Sequence, residues 1–271
     1  MRCYPVKLLL FSKMFQSMSM DKFAELALSI GFEGIDLTVR PGGYIEPKDV
    51  SEKLPKAIEI LGDRGLEVPM ITTSITSATE PYALDIFSKA SEFGVKYIKL
   101  GYWKYGGFGN LKKQIEEVKK NLKGIEKLCR EYSMTAGLHI HSGMFMTAEP
   151  AIVYLILEGF DPEYIGAYID PGHMAVEGGG GGWLMGMDIL SDRIVMVAVK
   201  DFGWFKTNKG WIAKTVPLGE GLVPWRIVFE ILSRIKFKGP VSIHSEYDMT
   251  LNEIIEQTKK DFIFIKNIVK K

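Results

Sequence analysis

"FEGIDLTV", residues 32–39, places Ile35, Leu37 and Val39 on one side of an extended chain and Asp36, Thr38 and the following Arg40 on the other. A strand of an open doubly wound sheet is covered on both faces and reads as a continuous apolar run. One apolar and one polar face point instead to a closed barrel, whose polar groups gather towards the C-terminal strand ends. The pattern recurs in Ile98 and Leu100 against Lys99 and Gly101, and in Val241 and Ile243 against Ser242, His244 and Glu246.

Similar runs are spaced along the chain: "PVKLLLF", "LEVPMIT", "VKYIKLG", "TAGLHIH", "YIGAYID", "RIVMVAVKD" and "PVSIHSE" complete a set of eight strand candidates. Between them lie amphipathic stretches such as "DKFAELALSIG", "VSEKLPKAIEILGDRG", "YALDIFSKASEFG", "NLKKQIEEVKKNLKGIEKLCREY" and "PWRIVFEILSRIKFKG", several ending at glycine as helices do. Strand–helix repeats at this spacing require parallel pairing, so the reading is an α/β fold, a (β/α)8 TIM barrel built from residues 1–271 as one domain. No glycine-rich dinucleotide fingerprint follows the first strand.

With 34 Lys plus Arg against 33 Asp plus Glu, the net charge is +1, and no global field favours nucleic acid or an anionic membrane surface. Cys3 and Cys129 are too few for a disulfide framework and agree with a reducing compartment, with the cytoplasm as the default location. No run of about 18 uninterrupted apolar residues predicts a membrane span. Helical outer faces and loops such as "KYGGFGN" could support a homo-oligomer, without a sharp interface signal.

All four histidines fall at or just beyond strand ends: His139 and His141 on the fifth, His173 beyond the sixth, His244 on the eighth. Asp170, Lys200 and Glu246 share that rim. Imidazole and carboxylate donors converging from different strands suit a divalent metal, for which His139, Asp170, Glu246 and His173 are the candidate ligands. Each has a bland alternative: a buried histidine with a satisfied hydrogen bond, or an Asp170 that caps the next helix. Manganese is the first expectation for the ion, with zinc, cobalt, iron or magnesium behind it.

In the order of their appearance, "GFEGIDLTVRPGG", "HSG", "DPGHMAVEGG", "VKDF", "PLGEG" and "GPVSIHSEY" resemble the sugar-phosphate isomerase/epimerase family, the xylose isomerase-like barrels, whose distant relatives include the apurinic endonucleases. The resemblance implies a divalent ion held by a Glu on the fifth strand, an Asp on the sixth, a His on the seventh and a Glu on the eighth. Asp170 and Glu246 match, while the fifth-strand Glu is His139 and the seventh-strand His falls on Ala198. The implied activity is proton abstraction beside a carbonyl through an enediolate, on a small sugar, keto-sugar or sugar phosphate. Glu246, His173 and Lys200 are the candidate catalytic groups, with Lys200 able to supply positive charge that a lost ligand set no longer secures. Lys13, Arg40, Lys99 and His141 are candidate binders of substrate hydroxyls or a phosphate, and Trp183, at the end of the "EGGGGGW" run, is expected on a mobile lid. The alternatives are a lyase or dehydratase on a 3-keto sugar and a non-catalytic sugar-binding barrel. A DNA-repair endonuclease is disfavoured by the balanced charge and the small number of histidines.

Overall fold

The computed structural model describes residues 6–270; Cys3 and the first residue of "PVKLLLF", Pro5, lie outside that range. Strands β1 (Leu8–Phe11), β2 (Gly34–Thr38), β3 (Glu67–Thr72), β4 (Tyr97–Lys99), β5 (Thr135–His139), β6 (Ile165–Ile169) and β7 (Ile194–Val199) pair in parallel, one after the next, and β10 (Val241–Ile243) closes the barrel between β7 and β1. All eight strand candidates therefore become barrel strands. Helices α1 (Met20–Ile30), α2 (Val50–Gly62), α3 (Ala83–Glu92), α4 (Leu111–Tyr132), α5 (Pro150–Leu157), α6 (Pro171–Ile189), α7 (Trp225–Arg234) and α8 (Leu251–Val269) follow the strands and surround them.

Local sequence accounts for the helices. In α4, Ile115, Val118, Leu122, Ile125 and Cys129 recur three or four positions apart and are the buried stripe. Helix α1 starts where Ser19 Oγ accepts the Lys22 N–H and stops where Gly31 turns left-handed at φ 107°. Helix α8 opens on a capping box of Thr250 and Glu253. No helix among the described residues is long and apolar enough to cross a membrane.

Two features differ from the sequence reading. An antiparallel hairpin, β8 (Asp201–Thr207) and β9 (Gly210–Val216), leaves the end of β7 and carries exposed Trp204 and Trp211. In the sequence, "RIVMVAVKD" runs into it without a break. The "EGGGGGW" run is the second correction, since it lies within α6, whose backbone kinks at Gly179 (φ 56°, ψ −145°). Trp183 is only 6% exposed and belongs to the core between barrel and helices, so it is an anchor for α6 rather than a lid residue. An indole of that size gains more from apolar burial than glycine loses in helical order.

Candidate active site

Inside the barrel, Leu9, Met70, Tyr168, Met196 and Ala198 form a buried floor. Gly137 on β5 faces the same interior, where a Cβ would come within 2.1 Å of the Met196 methyl, so only glycine leaves room for that floor. Strand side chains alternate, and the next inward positions up are polar, making a layer above this floor.

The first member of that layer is Asp36, fully buried, which accepts hydrogen bonds of 2.8 Å from Thr72 Oγ1 and Ser242 Oγ. Tyr168 reaches up from the floor, its hydroxyl 3.0 Å from His244 Nε2 and its ring stacked 4.4 Å from that of His139. His244 is stacked on Phe11 at 4.1 Å. These contacts hold two imidazoles in fixed planes.

Asp170 caps α6, with Oδ1 accepting the His173 backbone N–H at 3.1 Å. Its Oδ2 faces His139 Nε2 at 3.3 Å, Lys200 Nζ at 3.5 Å and His173 Nε2 at 3.8 Å. Glu246 Oε2 accepts a 2.9 Å bond from the same Lys200 ammonium and lies 3.4 Å from His244 Nδ1, while Oε1 is bonded to Lys13. Lys200 thus stands between the two carboxylates, joining strand ends β6, β7 and β10. His139 Nδ1 pairs with the Tyr102 hydroxyl at 2.7 Å, and His173 Nδ1 pairs with Ser142 Oγ at 2.8 Å. His141, just beyond β5, lies 3.9 Å from the His173 ring, and its Nδ1–H donates to the Ser142 carbonyl at 2.9 Å.

Burial and the nearby ammonium groups set the charge states. Burial, reinforced by Lys200 and Lys99, drives His139 well below the usual imidazole range; burial and Lys200 do the same to His173 and lower His141. These three rings are neutral near pH 7. Burial with Arg40 beside it also pushes Lys99 well below the usual amine range; its Nζ sits 3.6 Å over the Tyr102 ring and forms no ion pair with a described carboxylate. Lys200 behaves oppositely: burial disfavours its charge, but Glu246 and Asp170 outweigh burial and raise it. Burial likewise raises Glu246, and Lys200, His244 and Lys13 overcome it, holding that carboxyl well below its ordinary value.

A cavity of about 80 Å³ opens above this layer, lined by Lys13, Arg40, Lys99, His139, His141, Lys200 and Glu246 among others. That volume holds only two or three waters at roughly 30 Å³ each, so a sugar-sized molecule would rest partly on the rim. A larger depression of about 830 Å³, lined by Lys7, Glu33, Leu66 and Lys238, lies at the N-terminal strand ends, the end that barrel enzymes use for stability rather than catalysis. Of the residues expected at the site, Lys13, Arg40, Lys99, His139, His141, Lys200 and Glu246 line the cavity, Asp170 and His173 adjoin it, and Trp183 does not reach it. The polar layer also holds Asp36 and Tyr168, which are not among the candidate site residues of the sequence. Parity alone marks both, since Asp36 shares its face with Gly34 and Thr38, and Tyr168 shares its face with Gly166 and Asp170.

The divalent ion implied by the family resemblance finds a poor fit here. Among the described residues, no group of three His, Cys, Asp or Glu side chains is arranged to hold a metal. His139, Asp170 and His173 meet one another, but Glu246 joins them through Lys200 rather than through a shared open point.

The model of the xylose isomerase-like TIM barrel family matches residues 24–268. No curated protein matches the sequence. Among solved structures, a 3-keto-D-glucoside 4-epimerase from E. coli superposes with a TM-score of 0.74 at 15% identity, covering 97% of this chain and 100% of its own. A probable 3-DHS dehydratase involved in petrobactin synthesis, from Bacillus anthracis, gives 0.75 at 17% identity, with 97% and 99% covered. A D-tagatose 3-epimerase-like protein gives 0.73 at 18% identity, with 97% and 98% covered. At these identities the likeness establishes the fold.

Proposed function

This chain belongs to the xylose isomerase-like TIM-barrel family, and from that premise we propose that it is an enzyme moving a proton next to a carbonyl of a small sugar or keto-sugar, as an isomerase or epimerase. The observation that carries the reading is the Glu246 carboxylate, paired with Lys200 and Lys13 at the cavity wall and facing Arg40 and Lys99. Held ionised, Glu246 accepts the C–H proton while the bonding electrons move into the carbonyl and leave an enolate. The Lys200 ammonium, beside that carboxylate, offers an N–H to the developing oxygen charge. Transfer of the neighbouring hydroxyl proton to the enolate oxygen, with return of the carbon-bound proton to the former carbonyl carbon, completes an isomerisation, while its return to the opposite face of the same carbon completes an epimerisation. Arg40 would bind an anionic substituent in its planar fork, with His141 at the rim for hydroxyl groups.

One observation favours a second reading, a lyase or dehydratase. Among the described residues, Glu246 is the only carboxylate that lines the cavity, whose lining also includes neutral His139 hydrogen-bonded to Tyr102. Epimerisation through two facing carboxylates therefore lacks its second member. Expulsion of a β-hydroxyl from the same enolate needs only one base and one proton donor. The dehydratase among the structural neighbours shares this fold.

The test incubates the chain with a panel of ketoses, 3-keto sugars and their phosphates in D2O and follows loss of the carbon-bound proton by NMR; product analysis separates isomerisation from elimination. Glu246→Gln is expected to slow exchange by at least about 100-fold with the fold intact, the usual size of a general-base contribution. Exchange undiminished in that variant, or absent with every compound, would refute the proposal.

A further inference from the structure

We propose that the Lys200 ammonium is the resident cation of this site, occupying the position between Asp170 and Glu246 where the family pattern expects a divalent ion, and that the chain works without a metal. Strand β7 delivers this charge by parity. Met196 and Ala198 face the barrel floor, so the next inward residue is Lys200, one layer higher. Its Nζ lies 2.9 Å from Glu246 Oε2 and 3.5 Å from Asp170 Oδ2. A metal would need those same two oxygens at about 2.0–2.2 Å, a place the ammonium already fills.

The other two expected ligand positions point the same way. Ala198 has no donor atom and lies in the apolar floor. His139 is tied up at both nitrogens, Nδ1 by the Tyr102 hydroxyl and Nε2 facing Asp170 itself. Glu246 is further committed to Lys13. A dication would also add two charges to a rim already lined by Lys13, Arg40 and Lys200.

The lysine is positioned by its backbone as well. Helix α6 begins against the end of β7, where a Cβ on Gly172 would come within 2.4 Å of the Lys200 carbonyl oxygen. Only glycine permits that approach, which sets the Asp170 cap beside the Lys200 stem. An ammonium has three N–H groups, and with two turned towards the carboxylates the third is free for a substrate oxygen. Unlike a metal, it can give that oxygen a proton.

This deepens the preceding reading and rests on it for the reacting oxygen, but the measurement needs no substrate, so failure of the exchange experiment and failure here are separate results. MnCl2 is titrated calorimetrically into the full chain after dialysis against a chelator, with Lys200→Met and Lys200→Gln in parallel. The wild type is expected to show no one-to-one binding tighter than about 1 mM, and a folded variant, its two carboxylates released, to bind Mn2+ at least about tenfold more tightly. One Mn2+ bound by the wild type at micromolar concentration would overturn the proposal, and so would folded variants that bind no better than the wild type. If both variants fail to fold, the wild-type titration alone decides between the same two answers.

Discussion

Replacing Lys200 by Met keeps most of the unbranched apolar stem of the side chain and removes the ammonium with its charge and its three N–H donors, which makes the energetic role of that group measurable. Two contacts are lost, 2.9 Å to Glu246 and 3.5 Å to Asp170. Removing one partner from a buried ion pair costs about 3–5 kcal/mol, because the remaining charge is left without compensation. Asp170 is fully buried but retains the His173 backbone N–H. Glu246, whose side chain is 16% exposed, retains Lys13. These remaining partners place the cost at the lower end, about 3 kcal/mol at pH 8, or roughly 6–12 °C in Tm for a chain of this size. The sign with pH follows from the carboxylate. In the wild type Glu246 is held well below its unfolded value, so its contribution is present above the unfolded range and lost as pH falls through the folded one. In the variant that carboxyl loses its main counter-charge and takes up a proton at higher pH, which relieves the penalty. The gap between wild type and variant, measured by urea unfolding with circular dichroism, should therefore be widest at pH 8 and narrow towards pH 4. A gap under about 1 kcal/mol at pH 8, or one that does not change with pH, would refute the reasoning.

The histidines give a separate pH signature: His139 and His173 are both driven well below the ordinary imidazole range by burial. The unfolded chain therefore binds more protons, and stability should fall as pH drops below about 6.5, by up to about 1.4 kcal/mol per pH unit for each ring. Unfolding curves from pH 8 to pH 5 check this, and a flat profile over that range would contradict neutral buried rings. Trp183→Ala should lower stability by about 3–5 kcal/mol through the cavity it leaves, while turnover per folded molecule is retained. Loss of turnover without loss of stability would return Trp183 to the role of a substrate cover.

The barrel was legible because its signal is local and repeated. Ile35 and Leu37 against Asp36 and Thr38 state which face is apolar, and the same period in the other strands, with helices between them, leaves parallel closure as the consistent answer. The hairpin was hidden because "KDFGWFKTNKGW" reads as a simple continuation of β7, and its pairing depends on the turn at Asn208 and Lys209 and on the left-handed Gly210 that follows it. Asp201 in "VKDF" gives no hint of its work in the sequence. In the structure it accepts the backbone N–H groups of Gly219 and Val223 and the Trp225 indole N–H, tying the loop after β9 to the barrel. The glycine run misled for the opposite reason: low helix propensity was overridden by tertiary burial of the flanking Trp183.

From the chain alone came the fold, the end of the barrel at which the polar residues gather, and most of the residues that meet there, since each follows from side-chain alternation along a strand. Which of those residues touch which was decided only in three dimensions. Asp170 and Glu246 lie 76 positions apart, and nothing in that spacing says that Lys200 will stand between them. That outcome depends on barrel closure and on the reach of one side chain within a few ångströms, distances over which an ammonium and a metal ion demand different surroundings and which no periodicity encodes.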